Sequence, residues 1–249
     1  MSDKVILITG ASRGIGAATA MLAAAKGYAV CVNYCTNKAA ADDVVSEIQK
    51  QGGRAMAVQA DVGQEKEVLR LFEEIDSEFG AVTALVNNAG VLETQSRVES
   101  LSADRLQRVF QTNVFGTILC SREAIKRMSN KQDGEGGSIV NVSSVASRLG
   151  AAGEYVDYAA SKGAVDSFTI GLSKEVAGDG IRVNAVRPGF IYTDIHASGG
   201  EPGRVDRVAG NLPMSRGGDP NEVAESILWL LSDEASFTTG TFIKLAGGM

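Results

Sequence analysis

Lys4-Val5-Ile6-Leu7-Ile8-Thr9-Gly10-Ala11-Ser12-Arg13-Gly14-Ile15-Gly16 stands almost at the start of the chain. The apolar run up to Ile8 reads as a buried strand. It feeds directly into glycines at 10, 14 and 16, and an alanine-rich helical stretch follows from Ala17 to Lys26. Glycines permit a tight turn and a close backbone approach, while a helix N-terminus presents free N–H groups and the positive end of its dipole. Strand, turn and helix together predict a cradle for a pyrophosphate. The glycine spacing of i, i+4 and i+6 departs from the commoner dinucleotide fingerprint of i, i+2 and i+5.

Outward from this unit the pattern repeats. Strand-like runs recur at Val5 to Thr9, Ala29 to Asn33, Ala55 to Gln59, Ala84 to Asn87, Ser138 to Ser143, Arg182 to Arg187 and Thr241 to Leu245. Most are continuously apolar, as strands buried on both faces must be, and helical stretches separate them. Val68, Phe72, Ile75 and Phe79 recur at helical spacing, as do Val44 and Ile48, so these helices present one core face each. The expectation is an α/β fold: a single-domain, Rossmann-type, doubly wound parallel sheet of about seven strands with helices on both faces. Asp194 to Leu212 follows the sixth strand and contains Gly199, Gly200, Pro202, Gly203 and Gly210, which predicts a mobile lid near the carboxyl ends of the strands.

Composition narrows the function classes. A chain of 249 residues, 44% hydrophobic, suffices for one large core. A net charge of −6 and a pI near 5.0 disfavour a nucleic-acid surface. No apolar run approaches the ~20 residues of a membrane span. Met1-Ser2-Asp3-Lys4 is expected to enter a core strand without room for a signal peptide, which predicts a cytoplasmic protein with no membrane partner. Cys31, Cys35 and Cys120 form no metal-ligand spacing, and no carboxylate or histidine cluster offers a metal site. Cys31 and Cys120 read as buried thiols. Lys126-Arg127 and Lys131 read as a structural or solvated basic cluster near a helix C-terminus.

The second informative stretch is Tyr158-Ala159-Ala160-Ser161-Lys162. Residues four apart lie one above the other on a helix face, so a phenol and an ammonium can share one pocket. An ammonium about 5 Å away, at an effective dielectric of about 20, favours the phenolate by roughly 3 kcal/mol. Tyr158 is therefore expected to titrate closer to neutrality than an ordinary phenol. Tyr155 has no lysine at i+4 and is expected to line a substrate site instead.

These two stretches, with Asn87-Asn88-Ala89-Gly90, Asn113, the Ser143-Ser144 pair, Pro188-Gly189 and the closing Thr239-Gly240, resemble the short-chain dehydrogenase/reductase family over nearly the whole chain. The likeness is greatest to its 3-oxoacyl-carrier-protein reductase-like and glucose 1-dehydrogenase-like members. The resemblance implies Asn113, Ser144, Tyr158 and Lys162 as catalytic residues. Ser144 would hydrogen-bond the substrate oxygen, Tyr158 would move its proton, and Lys162 would hold the nicotinamide ribose. Asn113 would anchor a water linking the lysine to solvent. Ser144 precedes Tyr158 by one residue more than is usual in related reductases.

For the cofactor, the resemblance places Gly10, Ser12, Arg13, Gly14, Ile15 and Gly16 at the pyrophosphate, Asp61 and Val62 at the adenine edge, and Asn88, Ala89 and Gly90 beside the coenzyme. It places Pro188, Gly189, Ile191 and Thr193 at the nicotinamide. Asn33-Tyr34-Cys35-Thr36, at the end of the second strand, lacks the carboxylate that usually holds the ribose of NAD. Asn33 and Thr36 can hydrogen-bond a 2′-phosphate and Arg13 can pair with it, so NADP(H) is the expected cofactor. Cys35 is expected close to the adenosine. His196 is read either as a polar loop residue or as a substrate contact.

The expectation is thus an NADP(H)-dependent oxidoreductase of small carbonyl compounds or sugars, a homotetramer by family resemblance. Two alternatives compete: a 3-oxoacyl-carrier-protein reductase, disfavoured because Asp179 would repel an acidic partner, and a cofactor-sensing module without turnover.

Overall fold

A computed structural model describes residues 4–249. The elements are β1 (Val5–Ile8), α1 (Gly14–Ala25), β2 (Ala29–Tyr34), α2 (Lys38–Lys50), β3 (Arg54–Gln59), α3 (Glu65–Glu78) and β4 (Ala84–Asn87). They continue through α4 (Ala103–Phe110), a π-helical turn (Gln111–Gly116), α5 (Thr117–Met128), β5 (Gly137–Val142), α6 (Ala146–Leu149) and α7 (Val156–Glu175). The chain closes with β6 (Ile181–Pro188), α8 (Ile195–Ser198), α9 (Arg204–Ala209), α10 (Pro220–Leu231) and β7 (Phe242–Leu245). Each expected strand is present, with ends shifted by a residue or so.

All seven strands pair in parallel, in the order β3-β2-β1-β4-β5-β6-β7. The order reverses between β1 and β4, and in such open sheets the crevice over this switch point, at the carboxyl ends of the strands, is where ligands bind.

Alternation along each strand divides the core. Ile6 and Ile8 of β1, Val30 and Val32 of β2 and Val140 of β5 face α1, α2 and α10, where they meet Ala20, Ala23, Ile48, Val223 and Ile227. Val5, Leu7, Cys31, Leu85 and Ile139 face the opposite layer, against Leu71, Phe72 and Ile75 of α3, Met128 of α5 and Leu172 of α7. Burying a large apolar side chain of this kind contributes about 1.5–3 kcal/mol, and both layers do so along the whole sheet.

Cys31 and Cys120 are buried thiols whose pKa values burial raises, that of Cys120 to about 12. The basic cluster is structural: Lys126 pairs with Glu123 at 2.8 Å and Arg127 with Asp76 at 2.6 Å. Lys131 pairs with Asp179 at 2.5 Å, and Ser129 donates to the same carboxylate at 3.1 Å. The charge of Asp179 is thereby neutralised, so the repulsion expected of it against an acidic partner loses its basis. Among the described residues no helix is long and apolar enough to cross a membrane.

Candidate active site

A cleft of about 750 Å³ opens over the carboxyl ends of the strands at the switch point. Its first wall is the turn between β1 and α1. Gly10 has φ +60°, and a Cβ there would stand 2.9 Å from the Ala89 Cα. Gly14 has φ +55°, with Thr193 Cγ2 3.1 Å from the corresponding position. Both the backbone conformation and the close approach of two loops require glycine. Gly10, Ser12, Arg13, Gly14 and Ile15 line the cleft, and α1 starts there with no side-chain cap on its free N–H groups. This arrangement fits an anionic pyrophosphate. Gly16 acts behind the cradle: a Cβ there would lie 2.6 Å from both Gly10 O and Asn88 Nδ2.

The turn is braced from β4. Thr9 Oγ1 accepts hydrogen bonds from the N–H groups of Asn88 and Ala89, both at 2.9 Å. Asn88 Nδ2 donates to the carbonyls of Thr9 and Gly10, also at 2.9 Å. Asn88, Ala89 and Gly90 then line the cleft, while Asn87 ends β4 with its amide on Asn141 Oδ1 at 2.8 Å.

At the end of β2, Tyr34, Cys35, Thr36 and Asn37 form a rim without a carboxylate. Arg13 reaches the same cleft and has no ion-pair partner among the described residues. Asn33 does not reach it. Its side chain is buried, accepting from Gly10 N at 3.2 Å and donating to Ala60 O at 3.1 Å and Val58 O at 3.3 Å. The expected contact of Asn33 with a phosphate is corrected: the residue ties β2 to β3 and to the cradle. Asp61 and Val62 also lie outside the cleft lining. Asp61 Oδ1 accepts from Gly63 N at 2.9 Å, and Val62 is buried beside Gly116.

At the other end of the cleft, Tyr158 and Lys162 project from α7, and Ser144 follows β5. The Ser144 hydroxyl lies close enough to the Tyr158 phenol to lower its pKa, so the longer spacing between them in the sequence still brings the two side chains together in the cleft. Ser143 points the other way, donating to Asp166 Oδ1 at 2.6 Å in the core. Lys162 is buried, with Nζ donating to Val142 O at 2.8 Å and lying 5.7 Å from the centroid of the Tyr158 ring.

The electrostatics overturn one expectation. Burial pushes the Tyr158 phenol up to about 12, and the nearby Ser144 hydroxyl only partly opposes this. Burial likewise pushes Lys162 down to about 8 against the pull of Asp166. Desolvation thus dominates both groups, and the lowering of the phenol reckoned from spacing alone does not occur.

Asn113 sits in the π-helical turn, fully buried. Its side chain accepts from Val91 N at 2.8 Å and donates to Ser161 Oγ at 3.0 Å. Gly90 faces both Asn113 Oδ1 and Lys162 Nζ, each 3.5 Å from where its Cβ would stand. Asn113 thus orders the backbone beside the lysine.

Pro188, Gly189, Ile191 and Thr193 line the cleft after β6, as do Tyr155, expected at a substrate site, and His196, which the sequence left open. Tyr155 is buried and donates its hydroxyl to Gly199 O at 3.0 Å. His196 is 9% exposed, with Nε2 3.1 Å from Ile191 O. Arg204 was not expected here. Its guanidinium pairs with Glu201 at 2.7 Å and with Glu154, and lies 5.1 and 5.5 Å from the ring centroids of Tyr155 and Phe190. Glu154, Phe190 and Leu92 complete this end, and no spacing in the sequence joins them to Arg204. Val205 and Leu212 are buried as well, so 194–212 carries more anchors than its glycines suggest.

The family model described as enoyl-(acyl carrier protein) reductase matches residues 10–249. An uncharacterized oxidoreductase of Escherichia coli, YgfF, is 62% identical over 98% of this chain and 99% of its own length. An uncharacterized oxidoreductase of Methylorubrum extorquens is 39% identical over 100% of this chain and 98% of its own. A 3-oxoacyl-[acyl-carrier-protein] reductase of Synechocystis is 40% identical over 100% of this chain and 98% of its own. With the parallel sheet, the uncapped cradle and the Ser144–Tyr158–Lys162 cluster at one cleft, these matches make the chain an oxidoreductase of the short-chain dehydrogenase/reductase family.

Proposed function

We propose that the chain is an NADP(H)-dependent oxidoreductase interconverting a carbonyl group and a secondary alcohol, with Tyr158 as acid and base. The observation that carries this reading is the meeting of Ser144 and Tyr158 with a buried Lys162 at one end of a cleft whose other end is a phosphate cradle. When bound, the nicotinamide coenzyme supplies or takes up the hydride. Ser144 and Tyr158 present two hydroxyl groups to one substrate oxygen, and Tyr158 gives or takes the proton there. Lys162 orders the site beneath them with a charge that burial makes easy to lose. Gly10 to Ile15 would hold the pyrophosphate, and Pro188 to Thr193 the nicotinamide.

The 2′-phosphate preference is supported by Arg13 and by the rim from Tyr34 to Asn37, which offers a phosphate no repelling carboxylate. We further propose a cytoplasmic homotetramer acting on small carbonyl compounds or sugars. Reduction of 3-oxoacyl thioesters is a second reading, favoured by the relative named for that activity and by the neutralised Asp179.

NADPH and NADH oxidation across ketones, aldehydes, oxoesters and sugars tests the class, with a sensing module excluded by turnover. Tyr158→Phe should lose more than ~10²-fold in kcat while fluorescence titration shows NADPH binding nearly intact. Retained turnover in that variant removes Tyr158 from the chemistry. Arg13→Ala should narrow the ratio of kcat/KM for NADPH over NADH, and an unchanged ratio removes Arg13 from cofactor selection.

A further inference from the structure

The charged groups at the substrate end of the cleft are already paired. Among the described residues, the cations of the lining are Arg13 at the cradle, Lys162 beneath Tyr158, and Arg204. Lys162 is buried and gives its Nζ to Val142 O. Only Arg204 stands beside Tyr155 and Phe190, and its guanidinium is shared between Glu154 and Glu201. Glu93 is held by Arg108 through two bonds, of 2.7 and 3.0 Å, and Asp194 adds a further acid to the lining. A carboxylate or phosphate on the substrate would meet acids here and no cation left to receive it.

Apolar side chains take the rest of this end. Leu92 Cδ2 lies 2.9 Å from where a Cβ on Gly199 would stand, and the Tyr155 hydroxyl 3.0 Å from the same point. Val145, next to Ser144, is anchored by its N–H on Pro188 O at 3.0 Å, and its carbonyl accepts from Leu149 N at 3.1 Å. Leu149 closes α6 and lines the cleft with 62% of its surface exposed, while Arg148 beside it stays out of the lining. The turn that follows is held in shape. Ala151, also in the lining, keeps φ +48°, and its carbonyl accepts from the N–H groups of Glu154 at 3.1 Å and Tyr155 at 3.0 Å. A single exposed leucine is ordinary on an open surface. One held in the lining of a ligand cleft, five residues beyond Ser144, becomes buried when an apolar group lies on it.

We propose that this end receives an uncharged, apolar part of the substrate, that the substrates are carbonyl compounds bearing an alkyl or aryl group, and that Leu149 is the specificity residue covering that group. The inference rests on the oxidoreductase reading above and narrows its substrate class. Oxo acids and phosphorylated carbonyls are disfavoured by charge, and sugars by hydroxyls that would lie unpaired against leucine and phenylalanine.

The test measures kcat/KM, with whichever of NADPH and NADH the enzyme oxidises, along two homologous series: the methyl ketones from butanone to heptanone and the ethyl 3-oxoesters from oxobutanoate to oxoheptanoate. Levulinate, in which a carboxylate replaces the end of the hexanone chain, is the charged comparison. Wild type should gain roughly 3-fold per added methylene, as expected for moving each from water onto apolar surface. It should favour hexanone over levulinate by roughly 10²-fold or more. Leu149→Ser should flatten the dependence on chain length, and Leu149→Met, apolar and of similar volume, should keep most of it. Each slope is taken within one variant, so partial loss of folded protein leaves it readable.

No gain with chain length in either series, levulinate equal to or better than hexanone, an unchanged slope in Leu149→Ser, or a sugar turned over better than every member of both series overturns the inference and leaves the oxidoreductase reading standing. Absence of turnover with every carbonyl tried, aldehydes and sugars included, sinks the oxidoreductase reading, and this inference with it.

Discussion

Asp166 lies one helical turn beyond Lys162 on α7, and its carboxylate is held on both oxygens. Oδ1 accepts from Ser143 Oγ at 2.6 Å, and Oδ2 pairs with Arg187 at 2.9 Å, whose guanidinium stacks 3.8 Å from the Phe242 ring centroid. This fixed negative charge opposes the burial that pulls Lys162 down to about 8. The other groups facing the ammonium are Tyr158 on the same helix, the Val142 carbonyl and, beyond Gly90, Asn113. Because the folded pKa lies below the ordinary lysine value, the unfolded chain holds this proton more tightly; folding stability therefore rises as pH climbs from about 8 toward ~10.4. Activity that needs the ammonium falls over the same interval. Asp166→Asn removes the supporting charge and leaves Arg187 unpaired, and both changes lower the lysine pKa. The alkaline limb of kcat/KM for reduction should move to lower pH, measured as a pH profile beside Ser143→Ala, which keeps the carboxylate. An unmoved limb would show that Asp166 does not act through Lys162. At this scale the sequence was only partly legible. Ser144, Tyr158 and Lys162 follow from ordered motifs, yet Ser143 and Asn33 are consumed by core partners 23 to 27 residues away, which composition and spacing cannot reveal.

The segment of α8 and α9 shows how an element can be located correctly and understood incompletely. Its glycines mark it as an excursion after β6, but Arg204 clasps it to the loop before α7 through Glu154, and Tyr155 holds Gly199. Gln95, in the loop after β4, reaches Glu201 at 2.9 Å. Arg207, then Arg204, hold the Glu201 carboxyl down to about 2. A carboxyl lowered in the folded state contributes its stabilisation above the ordinary value of ~4.3 and loses it as pH falls toward the folded one. The clasp should therefore survive mild acid. Arg204→Met removes the shared partner of two carboxylates and should raise the amide exchange rates of 195–209, as measured by mass spectrometry at neutral pH, with substrate KM rising more than kcat. Wild-type exchange protection in this variant would mean that apolar anchors such as Val205 hold the segment without the ion pairs. Bound NADP and a substrate analogue should slow exchange in the same stretch of the wild-type chain. Arg204 escaped the sequence reading because ion pairs between separate loops leave no periodic trace.

Over the whole molecule, the fold was the most legible property, because its signal is distributed: seven apolar runs, each closed by a turn, admit few arrangements other than a parallel sheet wrapped by helices. Assembly is a property of the surface, and there the helical layer on the α7 side leaves large apolar side chains uncovered. Phe115 in the π-helical turn is 51% exposed, with Leu106 of α4, Ile118 of α5 and Ile170 of α7 also exposed. At the β7 end, Trp229 and the fully exposed Phe237 do the same. Exposed large apolar side chains on two different helical layers suit the two kinds of isologous interface in a tetramer with three perpendicular two-fold axes. Light scattering at micromolar concentration should return four times the 26.0 kDa of the chain. Phe115→Asp should give a smaller species by disrupting one patch, and Phe237→Asp should do so independently through the other, with circular dichroism unchanged because neither side chain is in the core. A wild-type mass of a single chain would refute the assembly, and a tetramer that survives both substitutions would place its interfaces elsewhere.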